Sequence, residues 1–231
     1  MSLYVMGDLH LSIGVPEKTM NVFAGWQDYQ ELIEKNWLTY INNEDTIVLA
    51  GDISWGMSLE QAKADFNFIN NLPGKKVIIK GNHDYWWTTK KKMEDFLQQN
   101  GFDTIQILHN NHYKYNDEFA VCGTRGWVNI PGEPQDAKVI LREVQRLETS
   151  VKSALSEKLT PIVFMHYPPI FANNFNYDIL EVLYRYKISD CYYGHIHGRS
   201  GHNLCVKNTY DGVNFHLISG DYLQFIPEKV I

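Results

Sequence analysis

The chain has 231 residues, of which 44% are hydrophobic, 21% charged and 13% aromatic, an ordinary globular composition that excludes disorder, collagen-like sequence and low-complexity filler. Its net charge of −6, from 21 basic against 27 acidic residues, supplies no global field toward nucleic acid or an anionic membrane. No stretch approaches the roughly 20 apolar residues of a membrane span, and no basic start with a long apolar core marks a signal peptide.

In chain order, Leu3–Met6 reads as a strand, as do Thr46–Ala50 and Lys76–Lys80. Each is a continuous apolar run of the length expected for strands buried on both faces. Helical periodicity lies between them: Leu32, Ile33, Trp37, Leu38 and Ile41 in one segment, Leu59, Ala62, Phe66 and Ile69 in the next. Ser58 with Gln61 three residues on predicts a capping box at the start of the second helix, and Pro73-Gly74 its end. A helix is expected from about Gln135 to Leu155 on the stripe Ile140, Val144, Leu147, Val151 and Ala154. There follow a strand at Pro161–Met165, a short helix at Ile179–Tyr186 and a strand at Cys191–Tyr193. The last part predicts hairpin strands at Leu204–Val206, Val213–Ile218 and Leu223–Ile226, with turns at Asp211-Gly212 and Ser219-Gly220. The strand–helix–strand rhythm argues for an α/β fold with parallel, right-handed crossovers. With no repeat, linker or composition shift, one domain over residues 1–231 is expected. Cys122, Cys191 and Cys205 form no CxxC pair, which suits a reducing, cytoplasmic setting with buried, inert thiols.

The chemistry follows the buried strands. Behind the first comes Gly7-Asp8-Leu9-His10, behind the second Gly51-Asp52, and behind the third Gly81-Asn82-His83-Asp84. His166 follows Pro161–Met165, and Gly194-His195-Ile196-His197 follows Cys191–Tyr193. Open α/β sheets bind ligands beyond the carboxyl ends of their strands, so these clusters can converge. In extended chain, residues i and i+2 face one side, so Asp8/His10 and His195/His197 each present two ligands together. Mixed imidazole and carboxylate donors without thiolate suit Mn²⁺, Fe or Zn²⁺ rather than Ca²⁺ or a structural zinc. Asp8, His10, Asp52, Asn82, His166, His195 and His197 are too many ligands for one such ion. They suffice for two ions about 3.5–4 Å apart if a carboxylate bridges.

The ordered set D-x-H, G-D, G-N-H-D, H and G-H-x-H, running from Asp8 to His197, resembles the calcineurin-like metallophosphoesterases. The resemblance implies a two-sheet β-sandwich flanked by helices, a four-layer αββα arrangement with a dinuclear site at one edge. It implies that Asp8, His10, Asp52 and His197 hold one metal and that Asp52, Asn82, His166 and His195 hold the other, with Asp52 as the bridge. The cofactor expected is a pair of divalent or mixed-valence transition-metal ions. His83 is expected to stabilise the transition state or protonate the leaving oxygen, and Asp84 to orient that imidazole by accepting its other N–H. The reaction implied is attack of a metal-bridged hydroxide on a small phosphomonoester or phosphodiester. Protein phosphatases of the superfamily carry an Asp-Arg pair soon after the second motif, where this chain has Ile53-Ser54-Trp55-Gly56, which argues against a phosphoprotein substrate.

Outside the motifs, Arg125 in Gly123-Thr124-Arg125-Gly126-Trp127 suits either a substrate phosphate or carboxylate, or a structural stack on Trp127. Tyr85-Trp86-Trp87 is read as core rather than as a base-stacking platform. Lys90-Lys91-Lys92, near a helix start, is read as a solvated face, and Asn173–Tyr177 as a loop over the His166 side. His109, His112, His202 and His216 are expected to be structural or solvated. The rival enzymatic reading is a nuclease resembling the DNA-repair members, disfavoured by the acidic balance. The rival of another class is a non-catalytic scaffold with the same fold, which would have eroded ligands. Oligomeric state is left open, and neither membrane nor nucleic acid is expected as a partner.

Overall fold

The computed structural model describes residues 1–127 and 137–231. Two sheets face each other. The first has strands β1 (Leu3–Met6), β2 (Thr46–Ala50), β3 (Lys75–Ile79) and β4 (Ile105–Ile107), all parallel, with the short β13 (Glu228–Lys229) antiparallel at the β1 edge. The second has a parallel centre of β6 (Phe119–Thr124), β7 (Thr160–Met165), β10 (Asp190–Tyr193) and β12 (Val213–Leu217). Its antiparallel edges are β5 (Tyr113–Lys114) and β11 (Thr209–Tyr210).

Three apolar layers account for the unbroken hydrophobic runs. Leu3, Val5, Val48, Ala50, Val77 and Ile79 meet Val121, Ile162, Phe164 and Tyr192 between the sheets. The alternate residues Met6, Ile47, Leu49 and Ile78 face helices α1 (Tyr29–Tyr40), α2 (Leu59–Asn71) and α3 (Lys90–Gln99). On the far side, Cys122, Val163, Met165, Cys191 and Phe215 face α4 (Ala137–Ser156) and α5 (Tyr177–Arg185). Both faces of each sheet are therefore covered, and the αββα sandwich is as expected.

The helices carry the expected apolar faces with two exceptions. α1 buries Tyr29, Ile33 and Trp37 at four-residue spacing, while Leu32 and Leu38 are exposed. In α2, Ser58 accepts from Gln61 N as a cap should, but the Gln61 side chain turns to Met57 N instead of completing the box. In α4, Leu147, Val151 and Ala154 are buried; the expected start at Gln135 lies outside the described residues. The triple lysine opens α3, and Lys90 and Lys91 pair with Glu94 (3.6 Å) and Asp95 (3.1 Å) one turn on.

The C-terminal expectation needs correction. Thr209–Leu217 is a hairpin, and Asp211 (φ 46°) and Gly212 (φ 82°) give it the left-handed pair that matches strand twist. Leu204–Val206 forms only a single bridge, Cys205 to Phe171, and Leu223–Ile226 is a run of turns. There the chain leaves one sheet for the other, and Phe225 turns inward against Trp26 (5.2 Å) instead of pairing. Asn173–Tyr177 also departs from a plain loop. Asn174–Phe175 pairs with Ile170–Phe171, and Asn176 caps α5 by accepting from Ile179 N at 3.2 Å.

Candidate metal centre

All the motif loops leave the carboxyl ends of parallel strands, so they meet at one end of the sandwich. Backbone bonds fasten them there: Asp8 N–H to Gly51 O (3.0 Å), His10 N–H to Asp52 O (2.9 Å), Gly194 N–H to His166 O (3.1 Å) and Gly7 N–H to Ile218 O (2.7 Å). The ligand-bearing turns are tight. Asp8, His10, Asp52 and His195 all have positive φ (59°, 45°, 52° and 72°), a costly backbone state for non-glycine residues that persists where surroundings over-determine it. A Cβ at Gly81 would strike the backbone N and carboxylate of Asp52, and one at Gly194 would strike the Asp8 carboxylate. The loops approach this closely because these two positions are glycine.

The donor atoms gather as two groups, Asp8 with His10 and His197, and Asp52 with His166 and His195. Asp52 Oδ2 stands 3.6 Å from His10 Nε2 and 3.5 Å from His166 Nε2, so one carboxylate oxygen faces a ligand of each group. Its other oxygen accepts the His83 N–H at 2.7 Å. Asn82 Oδ1 joins the second group, 2.6 Å from His166 Nε2. In the first, His10 Nε2 and His197 Nε2 approach to 3.3 Å, and Asp8 Oδ1 lies 3.6 Å from the latter.

Contacts behind the donors fix which nitrogen points inward. His166 Nδ1 lies 3.1 Å from Ala50 O, so the ring gives its N–H there and aims Nε2 at the centre. His197 Nδ1 is 2.9 Å from Asp221 Oδ1, with the same consequence. Burial lowers His10 far below its ordinary range and takes His166 to about 3 and His195 to about 2. These imidazoles are neutral and carry free lone pairs. Burial also pushes the Asp8, Asp52 and Asp84 carboxyls upward. For His197, burial is outweighed by the Asp8 and Asp221 carboxylates, which raise it. Clustered buried carboxylates and converging neutral imidazoles, with no lysine or arginine among them, constitute a donor set that fits two divalent transition-metal ions.

The remaining expected residues divide. His83 stands at the centre, its ring 4.5 Å from Trp55 and 5.6 Å from His10, with Nδ1 buried and without a hydrogen-bond partner among the described residues. Asp84 does not orient it. The Asp84 carboxylate instead accepts backbone N–H groups of Gly81 (2.7 Å), Asp52 (3.0 Å), Ile53 (2.8 Å) and Ser54 (3.4 Å), and the Trp86 indole N–H at 3.1 Å. It is a buried clamp that joins the second and third motif loops. Trp86 is core, as expected of the Tyr85–Trp87 run, whereas Tyr85 is exposed. Arg125 lies 4.8 Å over the Trp127 ring and 3.5 Å from Glu143 Oε1.

Three residues went unread in the sequence. Trp55 stacks on His10 (5.0 Å, 26° between planes), and Trp26 packs edge-on against His10 (5.5 Å) and His197 (5.3 Å). Asp221 holds His197, accepts Gly198 N–H at 2.8 Å and stands 3.3 Å from His202 Nε2. Its signal was present: Ser219-Gly220-Asp221 follows β12 as Gly51-Asp52 follows β2.

Comparison with known proteins agrees with this geometry. Curated relatives include the Gene 66 protein of Mycobacterium phage L5, 31% identical over 77 residues, which are 33% of this chain and 37% of that one. An uncharacterized protein of Methanocaldococcus jannaschii is 26% identical over 129 residues, 54% of this chain and 65% of the relative. The matches thus span between about a third and two thirds of those relatives' length. Among solved structures, a protein of unknown function from Aquifex aeolicus superposes with TM-score 0.56 at 15% identity, covering 99% and 95% of the two chains. The phosphopantetheinyl hydrolase of Mycobacterium tuberculosis gives 0.55 at 13% identity, covering 100% and 95%; at such identities these likenesses concern the fold. The family profile of calcineurin-like phosphoesterases matches residues 1–199, which hold every candidate ligand, and the chain belongs to that family.

Proposed function

We propose that the chain is a dinuclear-metal hydrolase of small phosphoesters. The observation that carries this reading is the position of Asp52 Oδ2, within 3.6 Å of an imidazole from each donor group. Asp8, His10, Asp52 and His197 would hold one ion, and Asp52, Asn82, His166 and His195 the other. Bound there, two dications would lower the pKa of a water so that it could serve as the nucleophile near neutral pH, and would offset the charge of the phosphoryl oxygens.

The chain's own groups do the rest. Asp221 and the Ala50 carbonyl hold His197 and His166 in the tautomer that points Nε2 inward. Trp26 and Trp55 wall the His10 side and keep bulk water from it. The His83 backbone is pinned to Asp52, and its ring, whose buried Nδ1 has no hydrogen-bond partner among the described residues, gives a proton to the departing alkoxide oxygen. Phosphopantetheinyl hydrolase, by its name a hydrolase, has the same fold. The net charge of −6 favours a small substrate over a polynucleotide.

Metal analysis of the purified protein, coupled to turnover of aryl monoester, diester and pyrophosphate substrates, tests this reading. Two ions per chain and hydrolysis of at least one class are expected. Asp52→Asn should lose metal and activity together, while His83→Ala should keep both ions and fall about 10²–10⁴-fold in rate. An Asn variant with two ions and undiminished turnover would remove the bridge, and the proposal with it.

A further inference from the structure

Beside the metal centre, a cavity of about 460 Å³ opens between the ends of β3 and β6. Lys80, Arg125 and Arg146 line it together with His109 and Trp87. One buried carboxylate answers the two arginines. Glu143 Oε1 takes Arg146 Nη1 at 2.7 Å and stands 3.5 Å from Arg125 Nη2, while Oε2 takes Thr124 Oγ1 at 2.5 Å and Gly126 N–H at 3.2 Å. Glu143 is therefore saturated, and it fixes both guanidinium groups rather than neutralising the cavity. Among the described residues, Lys80 Nζ makes no hydrogen bond or ion pair and the buried Arg125 Nε has no hydrogen-bond partner. Three cations and no acidic residue line the cavity, so the concavity is electropositive within a chain of net charge −6; burial and the charges of Arg146, Lys90 and Lys80 hold the His109 imidazole below its ordinary value.

The residues that line the cavity adjoin the motif loops. Lys80 precedes the Gly81-Asn82-His83 turn, Trp87 follows it, and the Arg125 carbonyl accepts the N–H of Tyr167, next to His166, at 2.8 Å. Preset guanidinium donors and an unpaired ammonium in a half-closed cavity recognise an anion through charge-assisted hydrogen bonds. We propose that this cavity binds a second anionic group, phosphate or carboxylate, on the phosphoester whose first phosphoryl group is cleaved at the metal centre. The proposal rests on the phosphoesterase reading and narrows its substrates to those with two anionic ends.

Steady-state kinetics of the metal-loaded protein on n-propyl phosphate, propane-1,3-diyl bisphosphate and 3-phosphooxypropanoate test it. At least one doubly anionic substrate should exceed propyl phosphate tenfold or more in kcat/KM, and which one it is separates phosphate from carboxylate. Arg146→Gln and Lys80→Gln should each reduce that ratio about tenfold, chiefly through KM, and Arg146→Lys should restore part of it. Calorimetric binding of the uncleavable propane-1,3-diyl bisphosphonate decides the site independently of turnover: it should weaken about tenfold in the Gln variants. If wild type hydrolyses nothing yet shows this loss, the phosphoesterase reading fails and the anion site stands. Equal kcat/KM for all three substrates, or bisphosphonate affinity unchanged in both Gln variants, overturns the proposal.

Discussion

Asp221 and Asp84 show how a single carboxylate can shape the centre without joining it. Asp221 accepts the Nδ1–H of His197 and is held below the usual carboxyl range by that imidazole despite its burial. Removing such an orienting partner leaves the ligand's ring free to rotate and lowers its basicity, which in metal sites costs about 10–100-fold in affinity. Asp221→Ala should therefore weaken the ion held by His197 by that factor while the second ion is largely retained. Competition with a chromophoric chelator separates the two affinities, and equal weakening of both, or of neither, would contradict the assignment. Asp84 departs from its sequence expectation for a simple reason. It is the neighbour of His83 in sequence, but successive side chains in a turn diverge, and the backbone N–H groups of Gly81, Asp52 and Ile53 claim its oxygens. Sequence shows that an acid stands beside a histidine. It does not show that five buried donors compete for that acid.

At the scale of elements, the decisive feature is the turn that ends each parallel strand. These turns were legible because continuous apolar runs stop abruptly at Gly-Asp, Gly-Asn, Gly-His or a lone His, and the runs themselves are continuous because both faces of each strand are buried. The Ser219–Asp221 turn is not legible in the same way because β12 alternates, with His216 and Asn214 only partly buried, and so resembles a hairpin strand rather than a central one. Gly81 is the most exacting of the turn positions, because a Cβ there meets the rigid backbone of Asp52 as well as its carboxylate. Gly81→Ala should cost about 1–3 kcal/mol in stability, as overpacking does, and should also displace the shared carboxylate and release metal. Gly101→Ala is the matched control. Its φ of +67° makes a side chain there costly through the backbone, a strain that Gly81 does not carry, but nothing lies within 4 Å of the added methyl, so it should lose stability without losing metal. Urea midpoints read together with metal content distinguish the two, and a Gly81→Ala protein with both ions in place would show that the turn has slack.

For the molecule as a whole, the same buried charges that suit metal binding set how stability depends on pH. Asp8, Asp52 and Asp84 have carboxyls raised above the ordinary 3.8 by burial, Asp8 to about 8. A group raised in the folded state stabilises the fold below its unfolded value and loses that contribution as pH climbs through the folded value. His10, His166 and His195 are lowered, so they act in the opposite sense and favour the fold increasingly as pH rises toward 6.5. Between about pH 4 and 6.5 the two sets oppose each other. Above 6.5 those histidines are neutral in both states and the carboxyl contribution acts against the fold, joined by the raised His197. The metal-free protein should accordingly lose about 1–3 kcal/mol between pH 6.5 and 8, at 1.36 kcal/mol for each proton and pH unit. Bound dications favour the ionised carboxylates, so the stabilisation given by metal should grow over the same window. Urea melts with chelator and with Mn²⁺ at pH 6.5 and 8 measure both quantities. A metal-free stability that is flat or rising across this window would mean that the three carboxyls are already ionised and paired by other means, and that the centre does not depend on dications to hold their charge.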